Sequence, residues 1–275
     1  MTHTNHRYRG PLQAVVLDWA GTTVDYGCMA PAAVFIETFK RRGVTITMAQ
    51  ARAPMGMFKK DHIRAIAHME PVAQQWLAVH DLPCTEDDVT AMYLDFLPLQ
   101  LSVIARHADV IPGTLEAIAA FRARGLKIGS TTGYTRAIMD RLGALVAQRG
   151  YKPDAIVCAD EVPAARPQPW MMFQNAQQLG VYPMSAIVKI GDTVPDIEEG
   201  LNAGAWTIGV VKTGNELGLT EIEIAALRPV ELGARLAAGH AKLLDAGAHY
   251  VVDGLADVPP LLDEIAARLA NGERP

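Results

Sequence analysis

The sequence predicts an α/β fold, a mostly parallel sheet with crossover helices and one all-helical cap inserted after the first strand. Three observations predict it. Short apolar runs alternate with amphipathic helical stretches, the rhythm of strands joined by helices. Most runs are β-branched and apolar on consecutive positions, as strands buried on both faces should be. One long segment breaks the rhythm with helical patterns only.

The strand candidates are residues 14–17, 127–130, 155–158, 186–190, 206–211 and 250–252. Between them lie helix candidates at 115–124, 136–148, 170–179, 196–203 and 231–246, and residues 258–269 close the chain. Gly247, just past the 231–246 stretch, fits a helix C-terminal stop. From about Gly27 to Arg106 no strand pattern occurs, and Gly43, Pro54, Gly56, Pro71 and Pro83 punctuate the helical ones. Thr85, with Asp88 three residues on, reads as a capped helix start. The division expected is a core of residues 1–26 and 106–275 and a helical cap of residues 27–105.

Composition narrows the class without naming a function. Half of the 275 residues are hydrophobic and a fifth are charged, ordinary for a globular enzyme. A net charge of −5 offers no basic face for nucleic acid or anionic lipid, so any anion must be captured by a local site. No apolar run approaches the roughly 20 residues needed to cross a bilayer. The opening residues 1–10 are polar and lack the apolar stretch of a secretory signal. Cys28, Cys84 and Cys158, odd in number and widely spaced, argue against a disulfide framework and for a reducing cytoplasm.

Ligands of open parallel sheets bind beyond the carboxyl ends of the strands, so the residues after each strand matter most. The first strand ends in Asp18-Trp19-Ala20-Gly21-Thr22-Thr23, a carboxylate before a Gly-Thr turn; a plain turn aspartate is the alternative. The second ends in Ser130-Thr131-Thr132-Gly133-Tyr134-Thr135, hydroxyls and a glycine that cradle a phosphate or simply cap a helix. Gly191-Asp192-Thr193-Val194-Pro195-Asp196 adds two acids at a further strand tip. With Asp18 they make an oxygen site suited to Mg²⁺, although Asp196 also fits a helix N-terminal acid.

The ordered set of Asp18 with Gly21-Thr22, then Thr132-Gly133, then Arg166, then Gly191-Asp192 with Asp196 resembles the four motifs of the haloacid dehalogenase superfamily. The helical insert resembles that superfamily's first type of cap, over a Rossmann-like core. Residues 18–27, Pro54-Met55-Gly56-Met57-Phe58-Lys59-Lys60-Asp61-His62, 129–136 and Gly191-Asp192-Thr193 resemble, more narrowly, the phosphonoacetaldehyde hydrolase family. That resemblance implies cleavage of the carbon–phosphorus bond of phosphonoacetaldehyde, within 2-aminoethylphosphonate degradation. It further implies a homodimer with one Mg²⁺ per subunit and no organic cofactor. Asp18 is then the nucleophile, and Asp18, the Ala20 carbonyl and Asp192 hold the metal. Thr132, Gly133 and Arg166 bind the phosphoryl group. Lys59 forms an imine, with Met55, Gly56 and His62 bordering the substrate and Asp196, Cys28 and Tyr134 behind them.

The chemistry explains the residue types. A bare carbanion is a poor leaving group, whereas an iminium made from a lysine amine lets cleavage leave a neutral enamine. The amine must be neutral to attack, so its pKa of about 10.4 has to fall. Lys59 rather than Lys60 is the candidate, because on a helix His62 at i+3 shares its face, while Lys60 points about 100° away. His62 shuttles protons there or packs within the cap. Arg166 suits a phosphoryl group by its planar guanidinium, with a surface ion pair as the alternative. Tyr134 is open between a hydroxyl donor and a packing residue. Trp19 reads as a buried strand-end aromatic, Cys28 as a small hinge residue, and Met55 and Met57 as the apolar side of the cleft. Superfamily phosphatases usually carry an aspartate where Ala20 stands, as acid for an alkoxide leaving group. A methyl there favours a phosphonate over an ester. An ester phosphatase and a non-enzymatic phosphate binder are the rival functions.

Overall fold

The computed structural model describes residues 8–275. The reading of the chain's polar start falls mostly on residues 1–7, outside the described residues. Six parallel strands, β1 (Ala14–Leu17), β2 (Lys127–Thr132), β3 (Ala155–Cys158), β4 (Ile187–Gly191), β5 (Trp206–Val210) and β6 (Tyr250–Val252), form one sheet in the order β3-β2-β1-β4-β5-β6. This is a doubly wound order, and its direction reverses between β1 and β4. Leu17 pairs with Ser130 of β2 on one side and with Ile190 of β4 on the other. The tips of β1 and β4 therefore border the crevice where such folds bind ligands.

Twelve α-helices accompany the strands among the described residues. Six of them lie in sequence between β1 and β2, and the first five, α1 (Met29–Lys40), α2 (Met48–Arg52), α3 (Lys59–Ala67), α4 (Glu70–His80) and α5 (Glu86–Val103), make up the insert. They are followed by α6 (Thr114–Ala123), α7 (Arg136–Ala147), α8 (Trp170–Leu179), α9 (Val194–Ala203), α10 (Glu221–Ala226), α11 (Pro229–Asp245) and α12 (Val258–Ala270), interleaved with the remaining strands.

The insert has its own apolar cluster. Phe35 and Phe39 of α1, Ile63 and Ile66 of α3, Trp76 of α4, and Met92 and Phe96 of α5 pack there. Val15 and Leu17 of β1, Ile128, Ile190 and Ile208 centre a separate cluster on the sheet. The insert's core is separate because α1, α3, α4 and α5 bury their apolar stripes against one another rather than on the strands. At the start of α5 the Thr85 amide donates to Asp88 Oδ2 at 2.9 Å, while the Asp88 amide donates to Thr85 Oγ1 at 3.3 Å. That reciprocal pair satisfies two amides that a helix start leaves free.

The elements depart from their sequence expectations mostly at the ends. β2 runs two residues further than expected, through Thr131 and Thr132, which pair with Val157 and Cys158 of β3. Neighbouring-strand pairing carries the two threonines into the ladder, where their hydroxyls alone suggest a turn. Helix α10, opened by a Thr220–Glu223 capping box, occupies a stretch with no element expected. Among the described residues no helix is long and apolar enough to cross a membrane.

Candidate active site

A small, partly open cavity lies over the strand tips. Asp18, Ala20, Thr132, Gly133, Tyr134, Arg166 and Thr193 line it from the sheet side, and Cys28, Pro31, Met55, Gly56 and Lys59 from the helical insert. The parallel register explains half of this convergence. In a parallel sheet every carboxyl end faces the same way, so residues 18, 132 and 192 emerge on one edge. The turn after β1 completes it, because Gly21 has φ +87° and a Cβ there would fall 2.3 Å from Asp192 Oδ2. Only a glycine lets the two tips approach so closely.

Arg166 sits at the centre, 4% exposed. Its Nη2 donates to Asp18 Oδ1 at 2.8 Å and to the carbonyl and hydroxyl oxygens of Thr131 at 2.8 and 2.7 Å. Nη1 lies 3.0 Å from Asp196 Oδ1, and Nε donates to Glu199 Oε2 at 2.9 Å. All three nitrogens are thus held in a fixed plane, a geometry that a lysine cannot reproduce. The surface ion pair open from the sequence gives way to this buried net. Behind it, Lys189 Nζ donates to Asp196 Oδ1 at 2.6 Å and lies 3.5 Å from Glu199. Thr193 Oγ1 donates to Asp196 Oδ2 at 2.6 Å, so Asp196 is anchored on three sides. Burial alone would raise the Asp196 carboxyl, but Arg166 and Lys189 hold it below the ordinary carboxylate range.

The other two acids are not so compensated. Burial pushes Asp18 up against the pull of Arg166, and burial together with the charges of Asp18 and Asp196 pushes Asp192 well up. Carboxylate oxygens of Asp18, Asp192 and Asp196 all lie within 4.8 Å of one another. Arg166 and Lys189 pair with Asp18, Asp196 and Glu199, and Asp192 beside them brings the buried carboxyl groups to four against two cations. With every carboxyl ionised, two negative charges would remain on hard oxygen donors, the excess that raises Asp18 and Asp192. Those features fit a hard divalent cation that leaves room for water and phosphoryl oxygens.

Lys59 opens α3 and is 4% exposed, with Nζ 5.1 Å from the Tyr134 ring centroid and 5.7 Å from that of Phe35. Burial, aided by the charge of Arg166, lowers its pKa from 10.5, while Cys28, Asp18 and Asp192 oppose the shift. The share of neutral amine, the form that attacks a carbonyl, is therefore larger here than on an exposed lysine. His62 is fully buried one turn on, but its ring turns away from the cavity wall. It stacks on Phe35 at 3.7 Å between centroids, and Nε2 lies 2.8 Å from the Ala51 carbonyl. Nε2 must then carry the proton, because a carbonyl can only accept. Burial and the charge of Lys59 lower His62 well below its usual value, which keeps the ring neutral.

Thr132 Oγ1 accepts from the Tyr134 amide at 3.1 Å, so its own proton can turn to the cavity. The Tyr134 hydroxyl is buried without a partner among the described residues, and burial pushes it and the Cys28 thiol well up, as neutral groups. Trp19 is buried as expected and donates from Nε1 to Ser130 Oγ at 2.9 Å. Met57 does not line the cavity; its carbonyl lies against Gly133 instead. Sequence reasoning missed Thr131, Lys189 and Glu199. A lysine inside the apolar strand Ile187–Gly191 signals a buried partner, and Glu199 lies at i+3 from Asp196 on one helix face.

Comparison with known proteins agrees with this geometry. A sequence model of the hydrolase family described as haloacid dehalogenase-like hydrolase matches residues 12–204. A phosphonoacetaldehyde hydrolase-like protein of Syntrophobacter fumaroxidans is 54% identical, over 98% of this chain and 97% of its own length. A phosphonoacetaldehyde hydrolase of Nitratidesulfovibrio vulgaris is 51% identical, over 98% of this chain and 96% of its own. The crystal structure of a phosphonoacetaldehyde hydrolase-like protein from Oleispira antarctica superposes with a TM-score of 0.97 at 38% identity, covering both chains completely.

Proposed function

Because the chain belongs to the haloacid dehalogenase-like hydrolase family and, within it, to the phosphonoacetaldehyde hydrolases, we propose that it hydrolyses phosphonoacetaldehyde to acetaldehyde and phosphate. Lys59 takes the aldehyde and Asp18 the phosphoryl group. The observation that carries this reading is the cavity wall itself. Lys59, whose amine burial drives toward neutrality, shares it with Asp18, Thr132 and Arg166.

The neutral Nζ of Lys59 adds to the carbonyl carbon, whose oxygen leaves as water, and an iminium results. Asp18 then attacks phosphorus in line with the carbon–phosphorus bond. As that bond breaks, its electron pair flows into the iminium and leaves a neutral enamine on Lys59. A proton taken up on the enamine carbon and one water molecule release acetaldehyde and restore the amine. A second water hydrolyses the aspartyl phosphate. Arg166, fixed by Glu199 and Asp196, carries its charge against the Asp18 oxygen and toward the phosphoryl group. The Thr132 hydroxyl donates to a phosphoryl oxygen.

Asp18, the Ala20 carbonyl and Asp192 would hold Mg²⁺, which when bound offsets charge on the phosphoryl oxygens and between the two facing carboxylates. With an ester substrate, Ala20 supplies no acid for an alkoxide, a contribution of about 10²–10⁴-fold elsewhere. An enamine needs none, which favours the phosphonate. The same reading takes residues 1–26 and 106–275 as core and 27–105 as cap, supported by the two apolar clusters. It also takes the protein as a cytoplasmic homodimer, supported by family resemblance and by three free cysteines.

Borohydride added with phosphonoacetaldehyde tests the lysine directly. Peptide mass mapping should find an ethyl or phosphonoethyl adduct on Lys59. An adduct on Lys60, or none with turnover intact, overturns the mechanism.

A further inference from the structure

Arg52, the last residue of α2, is 9% exposed, yet its hydrogen-bond partners are all uncharged. Nη1 donates to the carbonyls of Gly27 at 2.9 Å and Cys28 at 3.4 Å, and to Asn215 Oδ1 at 3.2 Å. Nη2 meets the Met29 sulfur at 3.1 Å, and Nε is buried without a partner among the described residues. Burying a guanidinium on carbonyls alone is costly. What this arrangement does is tie three parts of the chain together: the segment leading into α1, the end of α2, and the loop after β5.

The third of these parts reaches the reacting centre. Asn215 Nδ2 donates back to the Arg52 carbonyl at 3.4 Å, so the two residues bracket each other. The backbone amide of Asn215 donates to Asp192 Oδ2 at 2.8 Å, while Thr22 Oγ1 donates to the other oxygen, Oδ1, at 2.9 Å. Around this bracket the loop is fastened again. Gly27 donates to the Thr213 carbonyl at 2.7 Å, and the Thr213 hydroxyl donates to the Gly21 carbonyl at 2.8 Å. A Cβ at Gly218 would lie 2.8 Å from the Arg52 guanidinium carbon, so the loop closes directly on that side chain.

We propose that Arg52 is a positioning residue for Asp192, clamping the Asn215 loop so that its amide fixes one carboxylate oxygen and aims the remaining lone pairs at the divalent-ion site. The proposal rests on the Mg²⁺ reading given above. It makes the helical insert part of the ion site without contributing a ligand to it. Linkage requires the reverse as well, so an ion on Asp192 tightens the hold on residues 27–29.

The test is a double-mutant cycle of Arg52→Ala and Asn215→Ala, read by calorimetric titration of the substrate-free protein with Mg²⁺. Hydrogen exchange at residues 27–29 provides a second readout. Partners behind metal ligands typically change affinity by about 10–100-fold, and each single variant should weaken Mg²⁺ about tenfold. The double variant should be no weaker than either single, Arg52→Lys should recover part of the loss, and Mg²⁺ should slow exchange at 27–29 only with Arg52 present. Affinity within twofold of wild type in folded Arg52→Ala, or losses that simply multiply, would overturn the proposal. Should Arg52→Ala not fold, Asn215→Ala decides alone, because it keeps the backbone amide on Asp192, and unchanged affinity refutes the clamp. A wild-type protein that takes up no Mg²⁺ removes the ion site and this proposal together, while the lysine chemistry stands or falls by borohydride trapping.

Discussion

Replacing Gly56 by alanine probes how closely the helical insert must seat on the strand tips. Gly56 has φ +91°, and a Cβ there would lie 2.2 Å from Thr193 Oγ1 and 3.2 Å from Pro195 Cβ. Carbon–oxygen contacts need roughly 3.3 Å, so the loop must retreat by about 1 Å. Thr193 cannot easily give way, since its hydroxyl is committed to Asp196 at 2.6 Å. On the other side the Met57 carbonyl already lies 2.8 Å from where a Gly133 Cβ would be, so the loop is held between two glycine-lined surfaces. The positive φ costs about 1–2 kcal/mol and the overpacking about 1–3 kcal/mol. Because Lys59 follows three residues later, a shift near 1 Å at the amine should lower kcat/KM by about 10²-fold. Gly125→Ala is the control, with φ +75° and nothing within 4 Å of the added methyl. It should lose about 1–2 kcal/mol of stability and no activity. Acetaldehyde release coupled to an alcohol dehydrogenase gives the rates, and calorimetric melts give the stabilities. A Gly56→Ala protein within threefold of wild-type kcat/KM, or a Gly125→Ala protein equally impaired, would refute the reasoning.

Two further substitutions address the amine and the missing acid. Lys59→Met should abolish turnover yet raise the melting temperature at pH 7. Burial lowers the Lys59 pKa below 10.5, so between the lowered value and 10.5 the unfolded chain binds more protons and stability rises with pH. Below that window the full penalty persists, and the advantage of Lys59→Met should therefore shrink as pH climbs toward 10.5. A lower melting temperature for the variant at pH 7 would contradict this. Ala20→Asp puts a carboxyl in the cavity wall, where a general acid contributes about 10²–10⁴-fold. Hydrolysis of p-nitrophenyl phosphate should rise at least about tenfold with no gain on phosphonoacetaldehyde, and an unchanged ratio of the two activities would count against the role given to Ala20.

Much of the centre was legible because strand ends are legible. Asp18 and Asp192 follow apolar strands and Thr132 ends one, and a parallel sheet gathers such ends on one edge. Lys59 came from local motif and helix spacing, whereas spacing left His62 open between proton shuttle and packing. Residues at i and i+3 share a face, yet Phe35 and the Ala51 carbonyl, distant in sequence, decide where the imidazole turns. Lys189 and Glu199 went unread although both leave a trace, a charge inside an apolar strand and an acid one helical turn past Asp196. Arg52 and Asn215 leave none, for their meeting across 163 positions is a product of tertiary packing. The end of β2 was misjudged for a related reason, since threonines pair or turn according to whether a neighbouring strand is present.

The amine's environment has a protective consequence. Burial is the first cause that lowers the Lys59 pKa, and five of the twelve residues in the cavity wall, Lys59 among them, come from the helical insert. Any excursion that wets Nζ removes that cause and moves its pKa back toward the value of an ordinary surface lysine. Enclosure thus sets the reactivity of the amine, and an aldehyde meeting Lys59 in the wetted state would find a smaller neutral fraction and react more slowly.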